Sequence, residues 1–405
     1  MKSESPGRKI WKRFRQNRLS LFGLILILAA IFISFFFYLF IPDNTPYANR
    51  MSLALSNLSP GYEVRFIKIK RQAEDEPVSF LSEVFNGVKD SYTFIPVSDF
   101  RYDKENIIYK EFMGPGAASM PDQIIGLPEA MYILKRGHKP FVSGSGLSFV
   151  LSSGQLEKSA IDNLQKEFSD NNVVTKTFWL GTDRFGRDLL SRLLAGTRVT
   201  FGVGLIAVII SLFVGTLLGS LAGFFRGKVD QAVVWLINVV WSIPTLLLVI
   251  AITLVLGKGF EQVFIAVGLT MWVDVARIVR GQLFSVRELE FVSAGKALGF
   301  SAARIVSRHM LPNIMGPVLV IAAANFSTAI LLEAGLSFLG IGAQPPTPSW
   351  GAMIKENYGY IIIPGSAHLA IFPGLAIMLL TMAFTFVANG LRDAMDSREQ
   401  FSISG

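Results

Sequence analysis

Side chains able to carry covalent chemistry are sparse in these 405 residues and badly spaced for it. There is no cysteine, which removes disulfides, thiolate metal sites and a cysteine nucleophile together. The three histidines, His138, His309 and His368, are far apart and show no metal-ligand spacing. Gly144-Ser-Gly-Leu-Ser148 lacks the Gly-x-Ser-x-Gly order of a nucleophile elbow and reads as a turn. No Gly-x(4)-Gly-Lys-Ser/Thr occurs to cradle a nucleotide phosphate. The run Gly202-Val-Gly-Leu-Ile-Ala207 mimics a dinucleotide fingerprint but lies inside an apolar stretch with no strand before it. No catalysis, cofactor or metal is expected of this chain.

What the sequence does organise is a polar, basic interruption at residues 290–314 between two membrane-like runs. Phe291, Ala294, Gly295 and Leu298 fall three and four apart, giving one apolar and mostly small helical face. Gly299 then stands where a left-handed residue ends a helix. Ser301 can cap a second helix, on which Ile305, Val306, His309 and Met310 share a face while Arg304 and Arg308 lie elsewhere. Pro312 ends that helix and starts the next apolar span. Two readings are open. The glycine-cornered pair is either a surface that takes force from a soluble partner, or an ordinary loop carrying charges that set topology.

The surrounding elements are those of a membrane protein. Half of the chain (51%) is hydrophobic and only 17% is charged, well below a soluble domain. Leu19–Ile41 is 23 residues without a charge, about 34 Å as a helix and enough to cross a ~30 Å core. Seven basic residues precede it against Glu4 alone, so it reads as an uncleaved anchor with its N-terminus in the cytoplasm. Val199–Phe225 and Gln231–Gly257 are charge-free, joined by a turn holding Arg226 and Lys228. A fourth span lies near Gln262–Val279, where Asp274 and Arg277 can pair on one helix face. A fifth begins after Pro312, and a sixth covers about Ala367–Gly390. Pro244 and Pro373 predict kinks within spans. Gly215, Gly219 and Gly223, four apart, make a flat ridge where another helix can approach closely.

Six crossings put both ends and the basic 280–312 loop inside, in accord with the positive-inside rule. Residues 42–177 hold 15 Lys/Arg and 17 Asp/Glu, a net of −2, which leaves +10 for the rest. That excess fits topology rather than a nucleic-acid surface. Residues 62–70 and 105–112 pattern as strands, and Leu156, Ile161, Leu164 and Phe168 fall near helical spacing across 154–168. The expected fold is all-α and polytopic, six transmembrane helices with an α+β extracytoplasmic insertion between the first two. The divisions are a basic N-terminus (1–18), helix 1 (19–41), the insertion (42–177), a core with helices 2–6 (178–396) and a tail (397–405).

Here the residues become recognisable. "SAGKALGFSAARIVSRHMLP" resembles the EAA loop of ABC-importer membrane subunits, in the form of the C-type subunit of the dipeptide/oligopeptide permease family. The likeness continues through "WLGTDRFGRDLLSRLLAGTR" (179–198), "VRGQ" (279–282), "EAGLSFLGIGAQPPTPSWGAM" (333–353), "FPGLAI" (372–377) and "GLRDAMD" (390–396), and "WKRFRQNRLSLFGL" (11–24) is similar to the family's N-terminus. The resemblance implies a type I importer architecture and a multi-pass subunit of the inner membrane. Its partners would be a B-type permease, two cytoplasmic ATPases that bind ATP and Mg, and an extracytoplasmic substrate-binding protein. Within a coupling loop at 285–312, Ala294, Gly295 and Gly299 fall on the small residues of the motif. Ser301, Arg304, Arg308, His309 and Pro312 fall on its second helix and end. Two departures stand out. Ser293 replaces the opening glutamate of the motif and Gly295 its second alanine, and the insertion is longer than in most members.

"QPPTPSW" should be extended, placing Gln344, Pro345, Pro346 and Trp350 either at a substrate entrance or in a rigid closing turn. Glu333, a lone carboxylate in an apolar run, is expected to hydrogen-bond between helices. Di- or oligopeptides are the expected cargo, with nickel, peptide antibiotics and glycan-derived molecules as alternatives among relatives. An ion-coupled transporter would need several ionisable groups near the midplane. A membrane sensor would need an output domain, and only 14 residues follow Leu391.

Overall fold

The computed structural model describes residues 6–72, 79–117, 120–143, 146–257 and 259–395, which fall into two compact units. The described parts of Met1–Phe35, Gly196–Glu356 and Ile371–Gly405 form one, and those of Phe36–Ala195 and Asn357–Ala370 the other. The chain opens with a basic helix α1 (Pro6–Gln16) and the apolar α2 (Arg18–Phe36). Between them the Asn17 carboxamide accepts from the amides of Leu19 (3.1 Å) and Ser20 (3.2 Å), capping α2.

The second unit then builds around sheets. Its elements are β1 (Tyr62–Lys70), α3 (Phe80–Asn86), β2 (Tyr92–Asp103), β3 (Asn106–Glu111), β4 (Gln123–Gly126), α4 (Leu127–Met131), β5 (Phe141–Ser143), β6 (Gly146–Val150), β7 (Leu156–Ala160), α5 (Ile161–Asn172) and β8 (Val173–Phe178). A five-stranded sheet runs β4-β3-β2-β1-β8 and a three-stranded one β5-β6-β7, with antiparallel neighbours throughout. The alternation in β1 and β3 puts Ile67, Ile107 and Tyr109 into a core shared with Leu147 and Phe149 of β6 and with Leu164 and Phe168 of α5. The helix expected over 154–168 starts only at Ile161. Leu156–Ala160 is instead a strand, because it finds a ladder partner in β6 (Phe149 opposite Glu157, Val150 opposite Leu156). Of the turn expected at 144–148, residues 144 and 145 lie outside the described set, and Gly146–Ser148 belong instead to strand β6, where Gly146 pairs with Ser143.

The membrane unit follows with α6 (Leu189–Phe225), α7 (Gly227–Trp241), α8 (Thr245–Leu256), α9 (Phe260–Val286), α10 (Glu290–Ala297), α11 (Ala302–Arg304), a π-helical turn (Ile305–Met310), α12 (Leu311–Leu339), α13 (Trp350–Asn357) and α14 (His368–Met395). Among the described residues, five helices are long and apolar enough to cross a bilayer: Arg18–Leu39, Leu189–Phe225, Glu261–Val286, Ala302–Leu339 and His368–Met395. The expected third span, Gln231–Gly257, is not one rod. α7 and α8 meet at 92° and give a sixth span only if taken together. Pro244 has no amide to continue the ladder, and Ser242 turns its hydroxyl back onto the Asn238 carbonyl (2.7 Å), so the helix stops and restarts at Thr245.

Small residues set the helix packing. A Cβ on Gly215 would sit 2.6 Å from the Trp272 carbonyl oxygen, on Gly219 2.6 Å from that of Ala276, and on Gly223 2.7 Å from Cβ of Leu283. The three glycines therefore lie directly against α9. Likewise Gly23 of α2 faces the Ala383 carbonyl of α14, and the Ser20 hydroxyl donates to the Phe386 carbonyl (3.1 Å). Asp274 and Arg277 do not pair as expected. Arg277 lies over the Trp241 ring (3.9 Å) while Asp274 is exposed, and the ion pair on this face joins Arg280 to Asp230 of α7.

Candidate functional site

Residues 287–312 form two helices meeting at a glycine corner. Gly299 has φ +77°, a left-handed conformation with no Cβ to obstruct it. Its amide donates to the Lys296 carbonyl (3.0 Å) and that of Phe300 to the Gly295 carbonyl (3.0 Å), the pair of bonds that closes a Schellman motif. Ser301 then starts the second helix, its hydroxyl accepting from the Arg304 amide at 3.4 Å.

The inward face of α10 is Val292 and Gly295, both buried, so Gly295 parts from the face it was expected to share with Phe291, Ala294 and Leu298. Val292 packs in a cluster with Leu283, Ile305, Met310 and Ile314. Gly295 leaves room for Ile305 and Phe300, whose side-chain atoms come within 3.6 Å of where a Cβ would lie. Phe291, Ala294 and Leu298 are exposed, Leu298 at 71%. An apolar face that the chain does not cover is thus turned outward. On the second helix Ile305 and Met310 are buried, Val306 and His309 half-buried, and Arg304 and Arg308 exposed. The His309 ring stacks on Phe300 (6.0 Å) and the Arg304 guanidinium lies 4.2 Å above the same ring, so Phe300 organises residues that the spacing argument treated separately.

Pro312 does not end this helix. Ala302–Leu339 runs on as one helix, because the π-turn widens it just before the proline: the Leu311 amide reaches back to Val306, five residues away. Asn313 donates its side-chain amide to the His309 carbonyl (2.6 Å), satisfying an acceptor in the widened turn. Upstream, Arg287 donates to the Phe224 carbonyl at the end of α6 (2.6 Å) and Arg226 pairs with Glu288 (2.6 Å). The helix pair is therefore tied to the end of α6 as well as continuous with α12.

The other expected positions lie on the segment 333–350. Glu333 is buried, its Oε1 accepting from the hydroxyls of Ser337 (2.6 Å) and Ser349 (2.7 Å). Ser349 in turn accepts from the Ala352 amide (3.3 Å) and starts α13, so Glu333 braces a loop rather than a neighbouring span. Trp350 is the first residue of α13, not part of an extended strand, and is buried against Gly196. Gln344, Pro345 and Pro346 are exposed, and Gln344 donates to the Gly342 carbonyl (3.0 Å). Composition gave no hint of the polar core in "GTDRFGRD". There Asp183 accepts from the amides of Phe185 (2.9 Å) and Arg187 (3.0 Å) and from Nε of the buried Arg187 (2.6 Å), while Thr182 bridges Leu55 and Leu58. Gly181 and Gly186, both at positive φ beside those charges, were the available signal of a tight turn.

Residues 215–400 match the family described as binding-protein-dependent transport system inner membrane component, and residues 5–60 match the N-terminal TM domain of oligopeptide transport permease C. The glutathione transport system permease protein GsiD of Pectobacterium atrosepticum is 37% identical over 228 residues, covering 56% of this chain and 75% of that protein. The chain belongs to this permease family. The dipeptide transport system permease protein DppC of Alkalihalophilus pseudofirmus is 39% identical over 220 residues, 54% of the permease described here and 72% of its own length. GsiD of an Escherichia coli strain is 40% identical over 228 residues, 56% and 75% of the two chains. An inward-facing structure of the MetNI methionine ABC transporter overlaps 51% of the permease and 98% of its own chain, at 18% identity and a TM-score of 0.43, too loose an overlap to bear on function.

Proposed function

We propose that this chain is the C-type membrane subunit of an ATP-driven importer of di- or oligopeptides or peptide-like molecules, and that residues 285–312 are its coupling handle. A B-type permease would complete the translocation path, two cytoplasmic ATPases would grip the handle, and a binding protein would deliver cargo from outside. ATP and Mg would bind to those ATPases and not to this chain. This chain would cross the inner membrane six times, α7 and α8 sharing one crossing, with both termini and the handle in the cytoplasm and residues 42–177 outside. The peptide-like cargo is supported by relatives named for dipeptide and glutathione transport.

One observation carries the coupling role. The outward face of α10 holds the apolar Phe291, Ala294 and Leu298, yet it is uncovered by its own chain, and the helix that follows exposes Arg304 and Arg308. An uncovered apolar face with cationic neighbours is a protein-binding surface in waiting. The handle is fixed at the Schellman corner, at Arg287–Phe224 and through unbroken helix into α12, so displacement at its surface must move spans. Arg304→Glu, or Gly299→Pro at a φ that proline cannot adopt, leaves the subunit in the membrane and lowers transport-coupled ATP hydrolysis at least tenfold in the reconstituted complex. Hydrolysis that stays coupled in both variants would remove the role.

A further inference from the structure

The sheet-bearing unit encloses a cavity of about 130 Å³ that the transport role leaves unexplained. Phe66, Phe94 and Phe178 supply an aromatic wall, and six charged groups line the rest, of which Arg71 is exposed at the rim. Following each charge to its partners shows which are already committed. Arg50 is bidentate on Asp90, with Nε at 2.7 Å and Nη2 at 2.5 Å from its oxygens, and its guanidinium lies 4.3 Å over Phe94. Asp43 accepts from the Arg50 amide (2.9 Å), the Thr45 amide (3.0 Å) and the Thr45 hydroxyl (2.7 Å). These groups build the wall.

Two other groups are not committed. Lys176 of β8 has no hydrogen bond or ion pair among the described residues, and its ammonium sits 4.2 Å over Phe94. Asp188 is 4% exposed; its Oδ2 takes the Ser191 amide (2.7 Å) and hydroxyl, but its Oδ1, equally buried, accepts from nothing. A buried carboxylate oxygen left without a donor is costly, and natural structures keep such atoms where a ligand or water supplies one. The part-buried Lys176 ammonium and the spare buried oxygen of Asp188, set among phenylalanine rings, are complementary to a zwitterion with a short apolar group. The volume limits that group, since a cavity of roughly 150 Å³ is filled by benzene.

We propose that this cavity binds a small zwitterion of the α-amino-acid class, its carboxylate on Lys176, its ammonium on Asp188 and its side chain against Phe66, Phe94 and Phe178. The site lies wholly within the sheet-bearing unit and needs neither an ATPase nor cargo movement, so it stands whether or not the coupling proposal does. The test uses the full-length chain in lipid nanodiscs, with ligand-observed NMR and titration calorimetry. The probes are L-valine, isobutylamine (the same molecule without its carboxylate) and isovalerate (without its ammonium). L-valine is expected to bind the native chain, and both truncated probes at least tenfold more weakly. Lys176→Met should weaken L-valine at least tenfold, while Lys176→Arg retains it. Native-chain affinity should also fall as pH rises through about 8, where Lys176, lowered by burial and by Arg50 against the pull of Asp43, Asp90 and Asp188, loses its proton. No binding of L-valine to the native chain, binding equal to that of isobutylamine, or undiminished affinity in a folded Lys176→Met chain would each overturn the site.

Discussion

Lys176 shows how a single residue couples function to stability. Burial, then the charge of Arg50, lowers its ammonium from the ordinary lysine value of 10.5 to about 8. Between those two pH values the unfolded chain holds a proton that the folded one has released, so stability from this group rises with pH across that window. Below about 8 the penalty is fully present. Lys176→Met keeps the stem over Phe94 and removes the charge. Thermal unfolding of the full-length chain should therefore shift upward at pH 7, by the equivalent of about 1 kcal/mol after allowance for partial exposure, and the gain should vanish by about pH 10. A variant less stable than the native chain at pH 7 would mean that Lys176 is held by bonds it lacks here. Gly299 is a different case at the same scale. Its role was legible from a glycine following an apolar helical face, and φ +77° is the reason for that residue type.

Among the elements, the sequence was most informative where a signal is local. Strands β1 and β3 follow from period-two alternation, and the helix after Gly299 from the spacing of Ile305, Val306, His309 and Met310. It failed where the deciding partner is distant. Leu156–Ala160 satisfies a helical pattern as well as a strand, and only its ladder with β6 decides. Spacing grouped Gly295 with Phe291 and Leu298, yet it is buried beside Ile305 and Phe300 while they are exposed, because the packing of the second helix decides which side is covered. Nor could spacing show that Pro312 is tolerated by a π-turn, or that Pro244 turns a kink into a 92° break. The α6–α9 seam gives a paired prediction. Gly219→Ala puts a methyl 2.6 Å from the Ala276 carbonyl and should destabilise the chain by about 1–3 kcal/mol, whereas Gly202→Ala, with nothing within 4 Å, should be neutral or slightly stabilising. Thermal melts of the two variants in one detergent check this, and equal melting temperatures would mean the helices separate more readily than their packing indicates.

For the whole molecule, the proposed role has the membrane unit moved by force from ATPases on separate chains. What makes that division physical is the rigid path from an exposed apolar patch, through a glycine corner and a cluster of buried side chains, into a 38-residue helix. Phe291 and Leu298 are the most direct points of access to it. Both are exposed, so replacing them with aspartate leaves the chain's own packing intact while placing charge on the contact face. The decisive measurement is retention of the ATPase subunits when the assembly is purified through this chain carrying Phe291→Asp and Leu298→Asp together. The account predicts an inserted, folded permease that has lost its ATPases. Full retention, with ATP-driven uptake unchanged, would contradict it.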